Sequence, residues 1–305
     1  MASIVWPEKE YELQDHHSDS TIWNEFQFRN DDVIISTYPK SGTTWMQQIV
    51  FQLLFNGKED LQVHKMSLWL DFRLNASSSR YGSKEKLLQA IENQTQRRVL
   101  KTHLPLGALV FSPKAKYIFV GRDGRDAVWS LYNHHSNYTD EFYDRLNNSP
   151  GRVGPPLQRP QPTFVEYFHS WLEKDGAPFV PFFENIRSWW NVRHLPNVLL
   201  IHYSQLKRDL PRQIERIAQF LDIAVDRSSA EWNDILEHCS FDYMKINANK
   251  FIPDDTFIGG PSSFFRRGTN DSWKHILTKE NCQRYEEKAQ SELGAEAARW
   301  LAKGA

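Results

Sequence analysis

The chain has 305 residues, 40% of them hydrophobic and 25% charged, which is long enough for one large core or two modest ones. Its 37 Lys and Arg residues nearly balance 38 Asp and Glu residues, and the net charge of −1 argues against a nucleic-acid partner. The two cysteines, Cys239 and Cys282, exclude the framework of disulfides that small secreted proteins use.

The amino-terminal segment has acidic residues where a signal peptide would have an apolar run. The rest of the sequence has no run that approaches the ~20 apolar residues a membrane span needs. These two features predict a soluble, cytoplasmic protein with no membrane partner.

Strand and helix patterns alternate along the chain. A β-branched run at residues 31–39 predicts a strand, and apolar residues at helical spacing predict a helix over Thr43–Phe55. Further strands are expected at residues 97–105, 114–122 and 197–203, and further helices at residues 124–135, 163–174, 182–193 and 211–221. This alternation predicts an α/β fold with a mainly parallel central sheet flanked by helices.

Two segments interrupt the pattern. Residues 147–163 and 249–271 are rich in proline and glycine, which is typical of surface linkers and also of mobile lids. The second segment carries aromatic residues and Arg266-Arg267, which a linker does not need. We therefore expect one domain over residues 1–305, with a core at about 31–274 and a lid at about 249–271.

The segment TYPKSGTTW, residues 37–45, joins the first predicted strand to the first predicted helix. The usual nucleoside-triphosphate loop ends in Gly-Lys-Ser/Thr, whereas here Lys40 precedes Gly42. Such a turn presents successive backbone N–H groups at a helix N-terminus, which attracts an anion. The hydroxyls of Thr43 and Thr44 add donors, and the plain alternative is a strand–turn–helix with a threonine N-cap.

Polar residues also follow the next two predicted strands. His103 lies where parallel sheets bind ligands, and an imidazole there can take a proton from an acceptor hydroxyl. Arg122 follows the third strand and Ser130 lies on the next helix, a pair that suits phosphate recognition. A structural histidine, an ion pair between Arg122 and a neighbouring aspartate, and a solvated Arg266-Arg267 are the plainer alternatives.

In combination and in this order, the motifs resemble the cytosolic sulfotransferase family, which uses 3′-phosphoadenosine 5′-phosphosulfate (PAPS). TYPKSGTTW is similar to the 5′-phosphosulfate loop of that family, and FVGRDGRDAVWS (residues 119–130) to its 3′-phosphate strand and helix. FFRRGTNDSWK (residues 264–274) is similar to its carboxyl-terminal motif. The resemblance extends from about Asp31 to Lys274 and implies a P-loop-like sulfotransferase fold with a carboxyl-terminal lid loop.

The resemblance also implies a role for each matching residue. Lys40 would contact the 5′-phosphosulfate and stabilise the leaving phosphate, His103 would be the general base, and Lys101 would orient the acceptor or supply charge. Ser41, Gly42, Thr43 and Thr44 would hold the 5′-phosphate; Arg122, Ser130, Arg266, Arg267 and Gly268 would clamp the 3′-phosphate; Trp45 and Phe241 would sandwich the adenine, with Tyr203 beside it. PAPS would be the donor, released as PAP, and no metal is expected.

The chain departs from the family pattern at Arg267, where the family usually has lysine, and at Cys239, where it often has threonine. The first change keeps the charge of the clamp, and the second removes a hydrogen-bonding group near the adenine. The pairs His16-His17 and His134-His135 have no further ligands at metal spacing, and we interpret them as incidental.

These observations predict an enzyme that moves a sulfuryl group from PAPS to a hydroxyl or amine of a small, partly apolar acceptor. Residues 68–81, 138–164 and 257–265, all rich in aromatics, are expected to form the acceptor pocket. One alternative is a nucleotide or small-molecule kinase of the P-loop class, which would need the absent Gly-Lys-Ser/Thr ending. A second is a non-catalytic PAPS- or nucleotide-binding module, which would have no use for a base such as His103.

The expected oligomeric state depends on a short motif near the carboxyl terminus. Lys274 and Thr278 match a family dimerisation motif, but Lys279 replaces its valine and Gln283 its glutamate. In a two-fold symmetric dimer both subunits contribute the same patch, so each of these substitutions occurs twice in the interface. An unpaired lysine is also costly to desolvate. We therefore expect a monomer, or a homodimer formed through another surface.

Overall fold

The computed structural model describes residues 4–77 and 81–304, and a sheet of four parallel strands lies at its centre. Runs rich in β-branched residues form the strands because such side chains pack well on a buried, pleated surface. The strands are β1 (Val33–Thr37), β2 (Val99–Thr102), β3 (Lys116–Gly121) and β4 (Val198–His202). Their order across the sheet is β2-β1-β3-β4. The predicted α/β fold with a mainly parallel sheet is confirmed.

Helices connect the strands and cover both faces of the sheet. Several begin at a side-chain cap; Thr163 and Glu166, for example, form a reciprocal capping box. The helices are α1 (Thr43–Leu54), α2 (Val63–Met66), α3 (Arg73–Ser77), α4 (Lys84–Glu92), α5 (Gly124–Ser136), α6 (Asp140–Asn147), α7 (Phe164–Glu173), α8 (Phe182–Asn191), α9 (Tyr203–Arg208), α10 (Leu210–Phe220), α11 (Ala230–His238), α12 (Phe241–Ile246) and α13 (Lys279–Lys303).

The alternation of side chains along the strands produces two hydrophobic cores. On β1, Ile34 packs in one core together with Tyr117 and Phe119. Its neighbours Val33 and Ile35 pack in the other core, against helices that include α1 and α10. Both faces of the sheet are therefore buried, which explains why its strands read as continuous apolar runs.

The register brings the carboxyl ends of all four strands to one edge. Ser36 of β1 lies opposite Thr102 of β2 and Phe119 of β3, and Gly121 lies opposite His202 of β4. After β1 the chain continues to β2, which lies on one side of β1. After β3 it continues to β4, which lies on the opposite side of the sheet order. The crevice between β1 and β3 is the switch point where ligands bind in open parallel sheets.

The predicted strands and helices all occur, with ends that differ by a few residues. The predicted irregular segment 249–271 contains two short 3₁₀ turns, Ala248–Lys250 and Pro261–Phe264. The long helix α13 was not predicted, and its dihedral angles break at Gly294. Within residues 4–77 and 81–304, no helix has the length and apolar character required to cross a bilayer.

Candidate functional site

A cavity of about 520 Å³ opens at the carboxyl edge of the sheet. Its volume lies in the range typical of small-molecule sites. Among its lining residues are Lys40, Gly42, Thr43, Thr44, Trp45, Lys101, His103, Arg122, Ser130, Tyr203, Phe241, Arg266, Arg267 and Gly268. Ser41 is the one predicted site residue that does not line it. The structure thus brings together residues that are more than 220 positions apart in the chain.

The loop between β1 and α1 forms one wall of the cavity. Lys40 and Gly42 both have positive φ, and a Cβ at Gly42 would lie 2.9 Å from the ring of Tyr203. The first N–H groups of an α-helix have no intrahelical partner. At α1 the N-cap residue Gly42 also provides no side-chain cap for them. They and the helix dipole form an anion site. The backbone N–H of Ser41, in contrast, donates to the Tyr38 carbonyl.

The side chain of Lys40 crosses the cavity. Its Nζ lies 3.1 Å from Nδ1 of His134 and 3.8 Å from the ring centre of Phe264. Burial, together with the positive charges of Arg122 and Lys101, lowers the pKa of Lys40 well below its usual value. An anion in the cavity would relieve this repulsion, so the arrangement favours a negatively charged ligand.

The hydrogen bonds of His103 determine which of its nitrogens is free. Its Nδ1 lies 2.8 Å from the Thr37 carbonyl oxygen, which can only accept, so Nδ1 carries the proton. Nε2 therefore has the lone pair. Burial and the Lys101 charge lower the pKa of His103 to about 3, so the ring is neutral at physiological pH. A neutral imidazole with a free Nε2 can accept a proton.

Lys101 and Trp69 flank His103. The indole of Trp69 meets the imidazole edge-on at 4.7 Å, and the Lys101 ammonium lies 5.3 Å from the centre of the same indole. Burial lowers the pKa of Lys101 to about 8, although the carboxylate of Asp71 opposes that shift. Asp71 also accepts hydrogen bonds from Trp69 and Thr102, so this buried carboxylate orders the wall beside the base.

Arg122 joins two distant segments at the other side of the loop. Its Nη1 donates to the Lys40 carbonyl at 2.9 Å and its Nη2 donates to the Thr269 carbonyl at 3.0 Å. The guanidinium stacks on Tyr203 at 4.2 Å, and its buried Nε has no partner among the described residues. Guanidinium has five N–H donors, so Arg122 retains donors for an anionic ligand.

An aromatic slot, lined by Trp45, Tyr203 and Phe241, extends beyond Arg122. Trp45 meets the ring of Tyr203 at 5.5 Å and donates from Nε1 to the Cys239 carbonyl at 2.8 Å. Phe241 also lines the cavity, and a Cβ at Gly268 would lie 2.5 Å from its ring. Gly268 has φ of 61°, so both its conformation and its close approach to Phe241 favour glycine. These rings suit a planar base.

The opposite end of the cavity is mostly aromatic. Rings from each of the three predicted acceptor segments line it, namely Trp69 and Phe72, Tyr138 and Phe142, and Phe257, Phe264 and Phe265. Tyr138 and Phe257 form an isolated bridge that joins the turn between α5 and α6 to the 249–271 segment. The predicted lid segment therefore forms part of the cavity wall. Residues 78–80 of the first acceptor segment lie outside the described part of the chain.

His17, His134 and Phe179 also line the cavity and were not predicted to do so. Both His17 and His134 line the cavity, although neither belongs to a group of three potential metal ligands among the described residues. His134 lies four residues after Ser130 on α5, a spacing that places both on one helix face and could have revealed it. Nothing in the local sequence marks His17 or Phe179.

Within residues 4–77 and 81–304, no three His, Cys, Asp or Glu side chains are arranged to hold a metal. The cavity instead gathers the cationic side chains of Lys40, Lys101, Arg122, Arg266 and Arg267. One cavity therefore holds an anion-binding loop, the aromatic slot and a neutral histidine. These are the features of an enzyme that transfers a group from an anionic nucleotide.

Comparison with known proteins gives the family. A model of the sulfotransferase domain matches residues 30–297, which extends further toward the carboxyl terminus than the sequence motifs do. The chain belongs to the sulfotransferase family and is a PAPS-dependent sulfotransferase. This family assignment sets aside the kinase alternative.

Individual relatives agree with this assignment. The chain is 31% identical over 295 residues to a glycolipid sulfotransferase of Mycobacterium tuberculosis (strain ATCC 25177 / H37Ra), a match that covers 88% of this chain and 86% of the relative. It is 29% identical over 268 residues to sulfotransferase 1A1 of Rattus norvegicus, covering 84% and 82%. The structure of mouse sulfotransferase SULT7A1 complexed with PAP matches with a TM-score of 0.68 at 22% identity, covering 92% and 91%.

Proposed function

We propose that the enzyme sulfates a hydroxyl group of a small, partly apolar acceptor, with His103 as the general base. The observation that carries this proposal is the hydrogen bond from His103 Nδ1 to the Thr37 carbonyl, which leaves Nε2 as the basic nitrogen. His103 lines the same cavity as Lys40 and the anion-binding loop. A non-catalytic binding module would not need this arrangement.

The acceptor oxygen forms a bond to sulfur as the bond from sulfur to the bridging phosphate oxygen breaks. Nε2 of His103 takes the hydroxyl proton, which makes the acceptor oxygen a better nucleophile. Lys40 and the N-terminus of α1 stabilise the negative charge that develops on the departing phosphate. Such in-line transfer depends mainly on positioning and charge, as in phosphoryl transfer.

The remaining predicted residues would bind the donor. Arg122, Ser130 and the Arg266–Gly268 segment would hold the 3′-phosphate. Trp45, Phe241 and Tyr203 would hold the adenine, and Gly42 to Thr44 the 5′-phosphate. Ser41 would contribute by shaping the loop, since its side chain is buried away from the cavity.

A hydroxyl acceptor is favoured over an amine by the charges beside His103. Lys40 and Lys101 line the same part of the cavity, and they would repel an ammonium group. Trp69 and Phe72 stack at 4.4 Å and offer an apolar surface to the rest of the acceptor. The mycobacterial relative is a glycolipid sulfotransferase, a name consistent with an acceptor that has both hydroxyl and apolar parts.

Incubation with labelled PAPS and a panel of phenols, aliphatic alcohols and amines tests this proposal. We expect label on phenols or alcohols with no added metal and with EDTA present. Transfer to amines alone would contradict the choice of hydroxyl. Tight PAP binding by calorimetry without transfer to any acceptor would favour the non-catalytic module.

We further propose that residues 249–271 act as a lid within a single domain and that the chain is monomeric or dimerises through a surface other than the Lys274–Gln283 region. Arg266 and Arg267 would draw the lid closed on the donor. PAP should then suppress limited proteolysis in this segment, whereas unchanged cleavage would contradict a lid. Sedimentation at micromolar concentration measures the oligomeric state. A cytoplasmic location stays a prediction.

A further inference from the structure

His17 forms part of the cavity wall, yet its ring makes no hydrogen bond within the described chain. The side chain is 2% exposed, and neither Nδ1 nor Nε2 has a partner among the described residues. A buried polar group without a partner costs about 1–3 kcal/mol. Such a group at the wall of a substrate cavity is explained if the substrate supplies the partner.

Three aromatic rings surround His17, and of these only His16 carries hydrogen-bonding nitrogens; its Nε2 likewise has no partner among the described residues. The rings of Phe179, Phe72 and His16 lie 4.5, 5.9 and 4.4 Å from the imidazole centre. Phe72 and Phe179 also line the cavity, whereas His16 does not. A half-turn about χ2 exchanges carbon and nitrogen positions of the ring, so a nitrogen can face the cavity without displacing a neighbour.

His17 and His103 both lie beside Trp69. The centres of their rings are 6.2 and 4.7 Å from the centre of the indole. A molecule about the length of two aromatic rings can therefore contact both histidines at once. Burial and the proximity of other histidines lower the pKa of His17 well below its usual value, so its ring is neutral and offers one donor and one acceptor.

We propose that His17 binds a second, uncharged polar group at the far end of the acceptor. The preferred acceptors are then bifunctional compounds with one hydroxyl at His103, an apolar body against Trp69 and Phe72, and a second hydroxyl or carbonyl group at His17. This inference rests on the proposed function, and it specifies the substrate class of the same site.

Matched acceptor pairs test the proposal. The probes are 2-naphthol against 2,6- and 2,7-dihydroxynaphthalene, and 4-phenylphenol against 4,4′-dihydroxybiphenyl, so that the second hydroxyl lies at several distances from the first. After division by two for the equivalent hydroxyls, at least one diol should exceed its single-hydroxyl partner in kcat/KM by about 2–10-fold, the effect of one neutral hydrogen bond.

Variants assign this preference to a residue. His17→Phe should reduce the diol preference to one, because kcat/KM should fall more for the diol than for its single-hydroxyl partner. His17→Gln should retain part of it because an amide can still hydrogen-bond. His16→Phe is the matched control, since His16 is buried beside His17 but does not line the cavity, and it should leave the preference unchanged. Calorimetric PAP affinity confirms that each variant is folded.

The proposal would be overturned if, in the unsubstituted enzyme, every diol had the same corrected kcat/KM as its single-hydroxyl partner. It would also be overturned if a preference for the diol survived in folded His17→Phe. Calorimetry of the same acceptors with PAP-loaded protein measures the preference without turnover. Sulfation of both partners at equal rates would therefore contradict the role proposed for His17 but not the proposed function. PAP binding without sulfation of any acceptor would contradict the proposed function, while a diol preference in binding to the PAP-loaded protein would still support His17.

Discussion

The two ends of the cavity are built in different ways. The end that we propose binds the donor includes the carboxyl ends of β1 and β3 and the N-terminus of one helix, with Lys40 and Arg122 among its charges. The end that we propose binds the acceptor is lined by aromatic rings from segments far apart in the chain, such as Phe72, Phe179 and Phe257. An anion site follows from local backbone geometry, whereas an apolar pocket depends on how distant segments pack.

The largest effect should separate chemistry from donor binding. His103→Ala removes the proposed base without altering the donor end, so kcat should fall by about 10²–10⁴-fold while PAP affinity is retained. Steady-state turnover and calorimetry with PAP measure the two quantities. His194→Ala, at an exposed position, is the control. Near-full activity in His103→Ala would assign the proton transfer to another group.

Loss of Arg122 should act on the donor end alone. Arg122→Ala removes charge-assisted hydrogen bonds worth about 1.5–3 kcal/mol each, so PAP affinity should fall by at least about tenfold. Adenosine 5′-phosphosulfate, which has no 3′-phosphate, should lose far less, and the KM for the acceptor should stay constant. Arg193→Ala, at an exposed position that does not line the cavity, should change neither. An equal loss for both nucleotides would show that Arg122 only joins the Lys40 and Thr269 segments.

Gly268 tests whether the slot depends on close packing. A Cβ there would lie 2.5 Å from Phe241, and φ is positive, so Gly268→Ala should displace Phe241 and weaken PAP binding several-fold. Gly259→Ala is a matched control because Gly259 also has positive φ, in the same segment, but nothing lies within 4 Å of its Cβ. Calorimetry should show a loss only for Gly268→Ala. The same loss in both variants would indicate backbone strain rather than contact with Phe241.

The smallest predicted effect is on the pH dependence of folding stability, and it involves the buried histidines. Burial lowers the pKa values of His16, His17, His103, His134, His135 and His202, so the unfolded chain binds protons there that the folded chain does not. Each therefore lowers the stability of the folded protein as the pH falls below about 6.5, the unfolded value. Asp71 and Asp126, whose pKa values burial raises to about 6, act in the opposite direction between about 6 and 4 but are fewer.

The free energy of unfolding should therefore fall as pH is lowered from 7 to 5. Denaturant titrations at several pH values measure the slope, and His135→Gln should reduce it by the share of one proton. His194→Gln, at an exposed histidine, should not alter it. A stability that rises toward pH 5 would show that the carboxyl groups outweigh the histidines.

The sequence alone determined the sheet, five of the thirteen helices formed by the described residues, and the loop between β1 and α1. Apolar strand runs specify a parallel sheet because both faces are buried, and the spacing of Lys40, Gly42 and Thr43 specifies a helix N-terminus. These features depend on neighbours within a few residues, so a local pattern suffices to predict them. The roles assigned to the individual residues stay predictions.

Only the tertiary structure decided the acceptor end and the state of the base. The tautomer of His103 follows from a carbonyl on a different strand, and Ser41 turns away from the cavity because its N–H is used within the loop. His17 and Phe179 reach the wall by packing across long sequence separations. The energy of such contacts is non-local, so no short stretch of sequence encodes which ring will face the substrate.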